Sequence, residues 1–161
     1  IPQGSSEALV SHLDFLPTFC GLLGVETEAD LWGKNLQACM QDESKRVHEY
    51  VVSEWHSEWG TTVEPCRMLR NDTFKYTVYR ENKDEELYDM VEDPYEMRNL
   101  INDEKFAQPL ATCRQQMAAH FKNTDDEFLS MEFVADARWR SHKPGFWNHE
   151  GPTAPQVMLN H

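Results

Sequence analysis

Residues 66–80, Cys-Arg-Met-Leu-Arg-Asn-Asp-Thr-Phe-Lys-Tyr-Thr-Val-Tyr-Arg, decide the fold. Two short arms rich in apolar, aromatic and β-branched side chains flank a polar Asn-Asp-Thr break. Asn and Asp accept the tight backbone of a hairpin turn, so the chain is expected to reverse at Asn71-Asp72. In the second arm Phe74, Tyr76 and Val78 alternate with Lys75, Thr77 and Tyr79. That is the period of a strand with one covered face. Working outward, residues 47–54 (Val-His-Glu-Tyr-Val-Val-Ser-Glu) read as an earlier strand. Glu85-Glu86-Leu87-Tyr88-Asp89-Met90 reads as a later one, closed by the Asp93-Pro94 turn signal. Short strands linked by hairpins imply an antiparallel sheet of about four strands.

Phe106, Leu110, Cys113, Met117 and Phe121 recur at helical spacing, which predicts one amphipathic helix lying across that sheet. The expected fold class is therefore α+β. Upstream, residues 9–25 predict a short buried helix with Leu16, Phe19, Cys20 and Leu23 on one face. Asp14 is its expected cap, Pro17 sits in its first turn and Gly24 is its stop. Residues 26–46 are polar and irregular. Residues 1–122 are expected to form one subdomain. Residues 123–161 are expected to form an irregular tail, a strap or an interface. Arg138, Trp139, Arg140, Lys143, Phe146, Trp147 and His149 interleave charge and rings in that tail, which suits a subunit contact, a homo-oligomer included, or an anionic sugar.

The chain has 161 residues, 40% hydrophobic and 27% charged, with a formal net charge of -13. Such an acidic surface repels phosphate backbones and anionic lipid, so nucleic acid and membrane are not expected partners. No apolar run reaches the roughly 18–20 residues of a membrane helix, and no secretory leader is legible. The opening Ile1-Pro2-Gln3-Gly4 reads as the middle of a longer chain. Cys20, Cys39, Cys66 and Cys113 show no zinc spacing. Two disulfides are possible on count. Cys20 and Cys113 lie on apolar stripes, which favours free thiols.

The order of motifs resembles the sulfatase family. Val10, Ser11, Asp14, Pro17, Thr18 and Gly24 match its Val-Ser-x-x-Asp-hydrophobic-x-Pro-Thr segment and the helix after it. Gly33-Lys34-Asn35-Leu36, Arg67-Met68-Leu69-Arg70 with Phe74-Lys75-Tyr76, and Leu87-Tyr88-Asp89 with Asp93-Pro94, Glu96 and Asn99-Leu100 follow in the family's order. The resemblance implies the C-terminal subdomain of a hydrolase of sulfuric esters within the alkaline phosphatase superfamily. It also implies a formylglycine nucleophile, made from Cys or Ser in Cys/Ser-x-Pro/Ala-x-Arg, and a calcium ion for the full-length parent. None of the four cysteines begins that motif, so no catalytic residue and no cofactor is expected in these residues. The implied partners are the N-terminal catalytic domain of the same protein and a sulfated small molecule or glycan. The parent is expected to be periplasmic or secreted. A related phosphonate monoester or phosphodiester hydrolase, and a stand-alone module for sulfated glycans, are the other readings.

Glu54-Trp55-His56-Ser57 resembles a Glu-aromatic-His segment of that family, which makes the loop from Glu54 to Arg67 the expected substrate edge. His56 can donate to a hydroxyl or sulfate oxygen, Trp59 can stack on a sugar face, and Arg67 can pair with an anionic substituent. The bland alternative packs His56 and Trp59 at the sheet end and pairs Arg67 with a carboxylate such as Glu64. His12 is expected to be hydrogen-bonded and partly buried. Glu85, Glu86, Asp89, Glu92 and Asp93 are expected to form a solvated strand and turn.

Overall fold

The computed structural model describes residues 4–26, 31–55, 65–80 and 84–129. The four expected strands are present: β1 (Tyr50–Trp55), β2 (Cys66–Asn71), β3 (Phe74–Tyr79) and β4 (Glu85–Asp89). They form one antiparallel meander in chain order. The tight turn falls on Asp72 and Thr73, one position later than expected. Asn71 flanks it and accepts from the Thr73 and Phe74 amides at 3.1 and 2.7 Å.

Register explains the core. Val52, Leu69, Tyr76 and Leu87 are successive cross-strand partners and form one row across the sheet. Helix α3 (Ala107–Thr124) covers that row with Leu110, Cys113 and Met117. The expected amphipathic helix is thus present and lies across the sheet. Thr77, on the other face, is also buried, because β3 has a neighbour on both sides. Beyond β4, the Leu87 amide donates to Asn99 Oδ1 at 3.1 Å, and the Leu100 amide donates to the Leu87 carbonyl at 2.8 Å. Asp93 accepts from the Met97 and Arg98 amides. The acidic run is therefore a set of turn locks. Glu85 departs further from a solvated residue, because Arg114 of α3 grips it through Nε at 2.8 Å.

The N-terminal part packs as a separate layer. Helix α1 (Phe15–Leu23) ends at Gly24, whose φ of 65° is the left-handed stop that glycine accepts freely. Ser11, rather than Asp14, caps the turn before it; Asp14 instead closes a capping box by accepting from the Ser11 amide at 2.8 Å. The other Asp14 oxygen accepts from the Lys34 amide at 2.8 Å, and His48 Nε2 lies 3.0 and 2.9 Å from the two oxygens. Thr18 accepts from the Leu36 amide at 3.0 Å. Gly33 sits so close to the Leu13 carbonyl that a Cβ would lie 1.9 Å from it. Short helix α2 (Gln37–Gln41) follows in the stretch read as irregular.

The expectation of a buried α1 does not hold. Leu16, Phe19 and Leu23 are 54%, 58% and 76% exposed. α2 and the turn before α1 lie against it, and the Leu36 amide takes its polar seam at Thr18. His12 is exposed as well, with its ring against Phe15. All four cysteines are free thiols, as expected. No helix among the described residues is long and apolar enough to cross a membrane.

Candidate functional site

One row of the sheet carries three charged residues where its neighbour is apolar. Glu54, Arg67, Val78 and Glu85 are successive cross-strand partners on the helix-facing side. They lie at the end of the sheet where β1 stops and β2 begins, the two strand ends between which residues 56–64 run. His56, Trp59 and Glu64 lie outside the described residues, as does the charged and aromatic tail. Arg67 is the one expected site residue that is described.

Arg67 is 2% exposed. Its guanidinium meets Asp126, with Nε donating to Oδ2 at 2.7 Å and a second nitrogen donating to Oδ1 at 3.3 Å. Glu54 flanks it at 3.7 Å. The planar cation lies 4.2 Å from the centroid of the Phe128 ring, and Arg80 lies 4.9 Å from the same ring. Phe128 itself is fully buried and stacks at 6.3 Å on Phe121 of α3. Arg67, expected to pair with an anionic substituent, makes this two-point contact with Asp126.

The chain after α3 is shaped for this contact. Asp125 takes a left-handed backbone with φ 51°, which lets the Asp126 amide donate to the Phe121 carbonyl at 2.9 Å. Asp126 then accepts from the Phe128 amide at 3.0 Å. Burial pushes the Asp126 carboxyl up, but the Arg67 hydrogen bond and charge outweigh it and hold the group below its ordinary value.

Glu54, His120 and Asp126 bring ligand atoms within 4.8 Å of one another, the only such grouping among the described residues. The set does not suit calcium, which takes roughly six to eight oxygens. Arg67 already fills the space between the carboxylates as the cation. At the opposite end of the sheet, an open cleft is lined by Glu49, Asn71, Thr73, Phe74 and Gln116. Its Asn71 amide is committed to Gln116 at 3.2 Å and to its own turn.

His48, His120, Asp126 and Phe128 went unflagged by sequence reasoning. Their partners stand far away in the chain, and no local pattern announces them. Acid should expose these contacts. At Asp14, burial raises the pKa, but the Lys34 and Ser11 amides and His48 lower it more. At Glu85 the Arg114 hydrogen bond lowers it first, against burial, with Tyr76 helping. Three carboxyls depressed in the folded state mean that the unfolded chain takes up protons first. Their stabilisation is complete above about pH 5 and is lost as pH falls below about 4. Urea midpoints measured from about pH 6 to pH 3 should fall steeply at the acid end. An unchanged midpoint would show that the three groups are not depressed.

Residues 1–123 match the family described as N-sulphoglucosamine sulphohydrolase, C-terminal. A Delta 4,5-hexuronate-2-O-sulfatase of Bacteroides thetaiotaomicron is 42% identical over 147 residues, which is 91% of this chain and 31% of that relative. A solved structure of a 2-O GAG sulfatase superposes with a TM-score of 0.70 at 41% identity, covering 89% of this chain and 31% of that one. A second, in complex with its substrate D-glucosamine-2-N,6-O-disulfate, superposes with a TM-score of 0.68 at 25% identity, covering 74% and 25%. The chain thus spans 31% of the length of the hexuronate sulfatase it matches.

Proposed function

Because the chain belongs to the N-sulphoglucosamine sulphohydrolase C-terminal family, we propose that it serves a sulfatase as its C-terminal subdomain. The complete enzyme hydrolyses sulfate esters of sugars, and the first candidate substrate is a 2-O-sulfated unsaturated hexuronate. The observation that carries this reading is the 42% identity to the hexuronate sulfatase across 91% of the chain. The reading brings with it a formylglycine nucleophile and a calcium ion held outside these 161 residues, a catalytic N-terminal domain as partner, and a periplasmic or secreted setting.

Within that enzyme the chain's own task is shape. His56 and Trp59 supply the contacts to the sugar, as a donor to oxygen and a stacking surface. Arg67 follows them in the sequence and is anchored on Asp126. The exposed face of Leu16, Phe19 and Leu23 supports a seat on the catalytic domain. Apolar area of this kind marks an interface.

The complete reading frame, expressed and tested for inorganic sulfate release, checks the proposal. A 2-O-sulfated unsaturated disaccharide should yield sulfate, and the same sugar sulfated only at position 6 should yield far less. Preference for the 6-sulfate would overturn the substrate. Turnover of a phosphonate monoester with no sulfate release would overturn the activity.

A further inference from the structure

We infer that the outer edge of β1 is a docking edge, which an extended segment of the catalytic domain completes as a fifth strand of the sheet. The inference rests on the reading above, which makes that domain the partner of this chain.

The two edges of the sheet differ within a single row. Val52, Leu69, Tyr76 and Leu87 are successive cross-strand partners. In an antiparallel pair, opposed residues alternate between exchanging their backbone hydrogen bonds and pointing them away. At the β4 edge the Leu87 groups point outward. Asn99 Oδ1 accepts from the Leu87 amide there, and the Leu100 amide donates to the Leu87 carbonyl. Tyr76 therefore turns its backbone groups toward β2, and Leu69 turns to meet them. That leaves Val52 facing outward at the other edge, with Tyr50 and Glu54 two positions to either side. Tyr79 obeys the same alternation, since its amide donates toward the β4 side, to the Asp84 carbonyl at 2.9 Å. The β4 edge is thus sealed by the chain's own turn. The β1 edge offers the amides and carbonyls of Tyr50, Val52 and Glu54, and among the described residues no backbone group meets them.

An edge left to solvent is usually blunted by proline, lysine, a bulge or a very short strand. Tyr50–Trp55 has none of these. It is six residues long and pairs with β2 one residue for one residue. Its single charge is Glu54. Such an edge suits strand addition, in which main-chain bonds supply affinity and alternate side chains supply fit.

Position names the occupant. His48, two residues before β1, meets Asp14 in the turn before α1 at 2.9 Å, and Lys34 Nζ donates to the Val47 carbonyl at 2.7 Å. The open edge therefore begins beside the layer that carries the exposed Leu16, Phe19 and Leu23. One body can cover both. Charge disfavours a second copy, because each chain carries a formal -13 and like net charges repel. A domain on the same chain needs no such encounter, since tethering holds it at high effective concentration.

The complete enzyme is tested first without substitution, by amide hydrogen exchange resolved to single residues. The Val51 and Ser53 amides face β2 and serve as the internal standard. A covered edge should protect Val52 to within about tenfold of Ser53, whereas a solvent edge should let Val52 exchange at least about a hundredfold faster. The fast result would overturn the inference. Protection that falls on dilution, together with a dimer mass in sedimentation, would assign the edge to a second copy and overturn it as well. So would protection lost on truncation after Leu129, which would assign the edge to residues 130–161. Val52→Pro removes the outward N–H and should speed exchange about tenfold or more in one extended segment of the catalytic domain. Val52→Ala keeps the N–H and should leave that segment protected. Equal release by both variants would show that the side chain makes the contact, against strand addition. Protection at Val52 in an enzyme that releases no sulfate would keep the docking edge and overturn the sulfatase reading instead.

Discussion

Asp14→Ala is expected to cost about 3 kcal/mol, read as a lower urea midpoint with an unchanged slope. Asp14 is fully buried, and its carboxylate is the acceptor for the Ser11 and Lys34 amides and the partner of His48. Alanine removes all three contacts at once. A buried donor left without an acceptor costs about 1–3 kcal/mol. The three partners are only partly shielded, so the lower figure applies to each. Asp14→Asn keeps an acceptor oxygen and should lose about half as much. A loss under about 1 kcal/mol for the alanine variant would show that water replaces the carboxylate freely. The three contacts join the turn before α1, the Gly33–Leu36 segment and the approach to β1. The variant should therefore loosen the N-terminal layer first, which exchange at Lys34 and Leu36 would register.

Phe19→Asp should separate the chain's own folding from its docking. Phe19 is 58% exposed in these residues, so the change should move the stability of the 161-residue chain by less than about 0.5 kcal/mol. In the complete enzyme the same change should cost about 3 kcal/mol or more, since a buried Phe contributes roughly 1.5–3 kcal/mol and a carboxylate tolerates burial poorly. The check is a pair of thermal unfolding curves, with the substitution in each context. Equal effects in the two would remove α1 from the interface.

The meander was readable because each of its cues is local. Alternation in 74–79, a polar break at 71–73 and a turn at Asp93-Pro94 all act within a few residues. α3 was readable for the same reason, its stripe running from Phe106 to Phe121. α1 was legible as a helix but not as an exposed one. Its pattern shows that a face wants cover, and carries no information about what covers it. The family motifs gained physical content only in three dimensions. Asp14 meets Lys34, Thr18 meets Leu36, and Leu87 meets Asn99 and Leu100.

The candidate site was half legible. Arg67 stood out as a cation near a suggestive loop, and its burial was invisible because its carboxylate comes 59 residues later. Phe128 follows the end of the helical period, so nothing in the sequence marks it as core. A lone aromatic after a helix stop reads the same whether it dangles or folds back. Here the left-handed Asp125 turns it back.

The strand order also bears on how the molecule comes together in time. Every pairing in the sheet joins consecutive strands, so each closure spans a short loop and costs little chain entropy. Such low contact order favours rapid assembly of the four strands. Arg67 and Asp126 must close a separation of 59 residues, with the whole of β3, β4 and α3 between them. That clasp is expected to shut only after the sheet and helix have found each other, a last act of folding that ties the chain beyond α3 to the start of β2.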